Sequence, residues 1–248
     1  MTRVQAVRAK IERADKHIRD LRKEIERFLG GEPYKVASKP HVSLPWGTTF
    51  FVQKAEDIPG PILTIAGDAV HNLRSALDHL AWQLVEASNS TPGCHTGFPI
   101  YNPKAKGFKT QDDIAKFCER KVAGMRPEII AAIELQKPYK GGSNALWAIH
   151  EFDIIDKHHL LLAAGFVSHQ FAINGRYAIP LSKRFVVKEG EDIVTILRDL
   201  EPEEQLKFSF EIVVGQSGRF YGQSLIESLS TMFDVVDNLI SDFSPFLI

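Results

Sequence analysis

Val4, Val7, Ile11, Ala14, Ile18, Leu21, Ile25 and Phe28 recur at alternating spacings of three and four, with Arg, Lys, Glu and Asp between them. That period is helical, and it predicts one long helix over residues 3–29 with a narrow apolar stripe, ended by Gly30-Gly31. An apolar stripe that long must be covered along its length. Either other helices of the same chain cover it, or the same stripe of a second chain does, so a helical bundle is the first constraint on the fold.

The next segment breaks the period. Residues 34–55 alternate with period two, are rich in β-branched and aromatic side chains, and are divided by Pro40, Pro45 and Gly47, which predicts two strands forming a hairpin. Pro59-Gly60-Pro61 then opens a second helix running to about Ser88, with Ile62, Ala66, Ala69, Val70, Leu73, Leu77, Leu80 and Leu84 as a broad core face. Residues 89–110 read as loop, followed by short helices near 111–122 and 126–136 and a strong helix over 144–162 capped by Ser143 or Asn144. Strands are expected at 163–173, 176–180, 184–188, 192–198 and 206–214, and a last amphipathic helix at 222–243. Helices and strands do not alternate strictly, so the expected fold class is α+β: a bundle of about five to six helices packed with a mostly antiparallel β-sheet. The early strands at 34–55 should join those of 163–214, which makes residues 1–248 a single interleaved domain around a helical core at 59–162.

Charge excludes some functions. Thirty Lys and Arg against 31 Asp and Glu give a net charge of -1, so no global field draws the chain to nucleic acid or anionic lipid, and any such binding needs a local patch. Cys94 and Cys118 form neither a disulfide framework nor a zinc motif, which fits reduced thiols in the cytoplasm. The charged N-terminal segment has no signal-peptide character, and no run of about 18 apolar residues occurs, so no membrane partner is expected.

The chemistry-bearing residues concentrate in two helices. In HNLRSALDHLAWQL, positions 71–84, His71, Arg74 and Asp78 fall on one flank beside the Leu73 core face, and Arg74 and Asp78 are spaced to pair along the helix. His79 diverges from this trio by roughly 140°. In NALWAIHEFDIIDKHHLLL, positions 144–162, Asp156 and His159 share the face of Ala145, Ala148, Phe152 and Ile155, so they need polar partners, which Arg74 or His71 can supply. Asp153 and Lys157 lie four apart on the adjacent flank and could widen the network. Three chemistries fit these residues. One is a buried polar network of His71, Asp78, Asp153, Asp156, Lys157 and His159 around Arg74 that fixes helix register. A second is a metal site, although no HExxH or paired ExxH spacing is present and no metal or other cofactor is assigned. The third is metal-free phosphodiester cleavage, in which an Arg holds the phosphate and a His moves protons.

The Arg74-Ser-Ala-Leu-Asp-His79 segment resembles the Arg, four to six residues, His signature of the HEPN superfamily, many of whose helical domains are ribonucleases. That resemblance implies RNA as partner, a homodimer in which Arg and His of two protomers meet, and catalytic roles for Arg74 on the scissile phosphate and His79 as acid or base. This chain has Ser75 where the signature usually has Asn, Asp or His. A larger part of the chain resembles a family of bacterial proteins with no assigned activity that share GDxxHNLRSALDHL, a following FPI and a later DKH. Those motifs stand here at Gly67–Leu80, Phe98-Pro99-Ile100 and Asp156-Lys157-His158. The functional expectation is a HEPN-like, metal-independent RNA endonuclease. The alternative is a non-catalytic binding or structural protein with a buried His/Arg/Asp network between its helices.

Overall fold

The structure, a computed structural model, describes residues 2–44, 46–159, 163–173, 176–196, 204–215 and 218–247. It is a mixed α+β fold in which helices dominate. Helix α1 (Arg3–Gly30) starts in a reciprocal cap: the Thr2 hydroxyl accepts the Gln5 N–H while the Gln5 side chain accepts the Thr2 N–H. Its stripe buries Val7, Ile11, Ala14, Ile18 and Leu21. The cover is intramolecular. α1 lies along α2 (Gly60–Ala87) and beside α6 (Leu225–Phe243), where Arg8 bonds Asp237 at 3.0 Å. α2 is the central helix, with Ile62, Leu73, Leu77, Leu80 and Leu84 at or near zero exposure because it is packed by α1, α5 (Asn144–Asp156) and α6.

The strands make two three-stranded sheets. β1 (Tyr34–Pro40) and β2 (Thr48–Ala55) form the expected antiparallel hairpin, and β5 (Asp192–Ile196) adds to β2, so early and late strands do join. β3 (Ala163–Ile173) lies between β4 (Arg176–Val186) and β6 (Glu204–Val214), again antiparallel. The break expected between 180 and 184 is absent. β4 runs through as an edge strand, and Pro180 falls where the register with β3 slips between His169 and Phe171, a place that asks for no N–H. Residues 197 and 198 of the expected fourth late strand lie outside the described residues.

Two helix ends also differ from expectation. α5 stops at Asp156 rather than near 162: residues 157–159 form a turn in which the His158 N–H bonds the Ile155 carbonyl three residues back, while the Lys157 side chain pairs with Asp153. Residues 160–162 lie outside the described residues. α6 begins at Leu225 rather than 222, because Gly222 sits at φ 72 and Ser224 caps the first turn through the Glu227 N–H. Between α2 and α5 the chain forms a strap, residues 97–101, and two short helices, α3 (Gln111–Val122) and α4 (Pro127–Leu135). Phe98 and Ile100 of the strap are buried in the same apolar cluster as α2.

Candidate functional site

α2 and α5 run antiparallel, and two contacts fix their register. Gly67 of α2 receives the Asp156 carboxylate, which occupies the place a Cβ would need, so a bare backbone is required there. One turn on, His71 Nδ1 and Asp153 Oδ1 are 3.0 Å apart. A further turn brings His150 opposite Arg74. Asp153 is 2% exposed and is held from both sides, since Lys157 Nζ donates to its Oδ2 at 2.5 Å. His71 and Lys157 are themselves half-exposed, so this carboxylate is buried while its partners reach water.

Arg74 is 8% exposed, and its Nη2 donates to the Phe98 carbonyl at 3.1 Å and to Asp78 Oδ1 at 2.9 Å. Asp78 Oδ1 in turn accepts the Phe98 N–H at 3.0 Å. Both backbone groups of Phe98 are thus gripped by one ion pair on α2. The glycine before it serves the same approach: a Cβ at Gly97 would stand 2.9 Å from Asp78 Oδ1, and the Gly97 N–H bonds the Lys121 carbonyl at the end of α3. The three sequence motifs therefore meet: Gly67, His71, Arg74 and Asp78 from the first, Phe98 from FPI, and Asp156 and Lys157 from DKH, with Asp153 one turn before.

Electrostatics follow from this packing. Burial lowers the Arg74 guanidinium pKa, opposed by the carboxylates of Asp78 and Asp153. His150 is pushed down to about 4, first by burial, then by the Arg74 cation, with Lys157 and Lys121 adding to it and Asp153 opposing. Its ring lies against Trp147, centroids 5.5 Å apart. The Asp156 carboxyl is pushed up by burial and by the charges of Asp68 and Asp153, with His71 opposing. Arg74 Nη1 and His150 Nδ1 are buried without a hydrogen-bond partner among the described residues.

The sequence-predicted residues divide accordingly. His71, Arg74, Asp78, Asp153 and Lys157 come together. Asp156 joins through Gly67 rather than through Arg74 or His71, because the helix register places those two opposite His150 and Asp153. His159 lies beyond the end of α5, exposed, with its N–H on the Ile155 carbonyl, and does not reach the network. His79 is exposed on another face of α2 and does not meet Arg74 within one chain. His150, which the network read from the sequence did not include, is the histidine that faces Arg74. Its signal was the three-then-four spacing of His150, Asp153 and Lys157 on one helix flank.

Among the described residues no three His, Cys, Asp or Glu side chains converge as a metal site, and no helix is long and apolar enough to cross a membrane. Compared with protein-family models, with curated proteins and with solved structures, the chain matches none.

Proposed function

We propose that the protein is a non-catalytic binding protein in which the α2/α5 seam is architecture. One observation carries this reading: the Arg74–Asp78 pair closes on both backbone groups of Phe98 and so fixes the strap to α2. An arginine that grips a scissile phosphate must present its guanidinium to the substrate. Here Nη2 is engaged twice and the side chain is buried, and withdrawing it would leave Asp78 and the Phe98 carbonyl uncompensated. What the fixed strap offers in return is a rigid wall, since Pro99 and Tyr101 line a cleft on its far side.

A HEPN-like, metal-independent RNA endonuclease is the second reading, favoured by the unpartnered Nη1 of Arg74. It requires a homodimer, because His79 must come to Arg74 from a second protomer. RNA cleavage by the purified protein in EDTA separates the two. The expected result is no cleavage by the wild type, with Arg74→Ala strongly destabilised and His79→Ala stable. Cleavage by the wild type that both variants lose while circular dichroism shows them folded would overturn the binding reading in favour of the nuclease.

A further inference from the structure

The strap, α3 and α4 enclose a cleft of about 290 Å³ whose walls are largely apolar, with Ile114, Val122 and Ile133 among them. At its side Tyr101 and Tyr139 present tilted rings with centroids 5.6 Å apart. Glu134 is the only charged residue in the lining, and no ion pair engages it among the described residues. Glu134 is exposed at the cleft, and after burial its charge is the foremost cause raising the Cys118 thiol; it also raises the Tyr101 phenol. The partial negative end of α4 lies beside Glu134, with Lys137 just beyond the C-cap. Lys121 of α3 is turned over the Phe117 ring, its Nζ 5.9 Å from the centroid.

We propose that this cleft binds a small amphipathic cation, an ammonium group on a short apolar or aromatic body. The body would displace water from the isoleucine and valine walls, and the ammonium would sit between the tyrosine faces and the Glu134 carboxylate. A neutral ligand of the same shape leaves Glu134 unused, and an anion is repelled by it. The site lies on the opposite side of the strap from Arg74 and takes from the binding reading only that the strap is fixed, so RNA cleavage and cation binding can each fail alone.

Titration of the full-length protein by NMR, with 2-phenylethylammonium, 2-phenylethanol and 3-phenylpropanoate as probes of matched size, tests the charge. The expected order is ammonium tightest, with at least about a tenfold preference over the alcohol that Glu134→Gln removes. Ala115 is exposed on the cleft wall, and Ala115→Trp should fill the space and abolish binding of the ammonium. Equal binding of alcohol and ammonium, tighter binding of the carboxylate, no binding of any probe, or binding untouched by either variant would each overturn the proposal.

Discussion

The seam between α2 and α5 and the cleft behind the strap lie on either side of residues 97–101, yet they are built from opposite chemistry. In the seam, two buried charges are engaged by neighbours: Arg74 with Asp78 and Phe98, and Asp153 with His71 and Lys157. In the cleft, the wall is apolar and its single carboxylate, Glu134, has no counterion among the described residues. A network whose charges engage one another and the Phe98 backbone holds that backbone in place. An apolar hollow with one unengaged charge contributes little to holding the chain and has a directional contact to give. Position along the strap turns the first into support for the second, since Phe98 is gripped by α2 and the next residues form the cleft wall.

The sharpest break of that comparison is Asp78→Ala. It leaves a buried guanidinium without its carboxylate and the Phe98 N–H without an acceptor, so a loss of about 3 kcal/mol is expected in urea unfolding. The double variant Arg74→Leu with Asp78→Ala should lose less than Asp78→Ala alone, because the stranded charge goes with it. If the double variant is the worse of the two, the pair contributes more than the desolvation it demands.

How legible this was depended on which groups carry the information. The stripes of α1 and α2 are side-chain periodicity, and their buried faces follow from it directly. The Arg74–Asp78 pair is also local, four residues apart on one helix. The grip on Phe98 was not legible, because it uses an N–H and a C=O that every residue owns. The register of α2 against α5 was hidden for a related reason: each helix alone offers several polar residues at helical spacing, and only Gly67 marks where Asp156 fits. The end of α5 was missed because Lys157-His158-His159-Leu160 continues a helical pattern, whereas the backbone tightens at His158, whose N–H bonds the Ile155 carbonyl three residues back. The split into two sheets depends on pairings between distant segments, which periodicity does not encode.

Acid offers a milder break of the seam. His150 sits at about 4 in the fold against an ordinary 6.5, so between those values the unfolded chain binds the proton and the folded chain does not. Its contribution to stability is complete above pH 6.5 and is lost as the pH falls toward 4. With the ring only partly buried, solvent screening brings the loss to about 2 kcal/mol. Asp156 has the reverse sign, its raised carboxyl giving stability that is lost as pH rises, and His17, lowered mainly by burial, has the sign of His150. Comparing wild type with His150→Phe isolates the one group. The variant should flatten the stability profile between pH 4 and 6.5, and an unchanged slope would mean that the seam tolerates a second cation beside Arg74.

The smallest effect is the most discriminating between the two regions. Glu134→Gln removes the only charge in the cleft lining, yet it should change unfolding stability by no more than about 0.5 kcal/mol, since the residue is exposed and no ion pair among the described residues is broken. Asp78 and Glu134 are both helix carboxylates reachable by water, so exposure alone would give them similar effects. The difference expected between them arises from what each carboxylate faces: Asp78 compensates a buried arginine and a backbone N–H, while Glu134 compensates nothing within the described chain. A stability loss at Glu134 comparable to that at Asp78, measured in the same urea titration, would place it in the architecture and make the cleft a second seam.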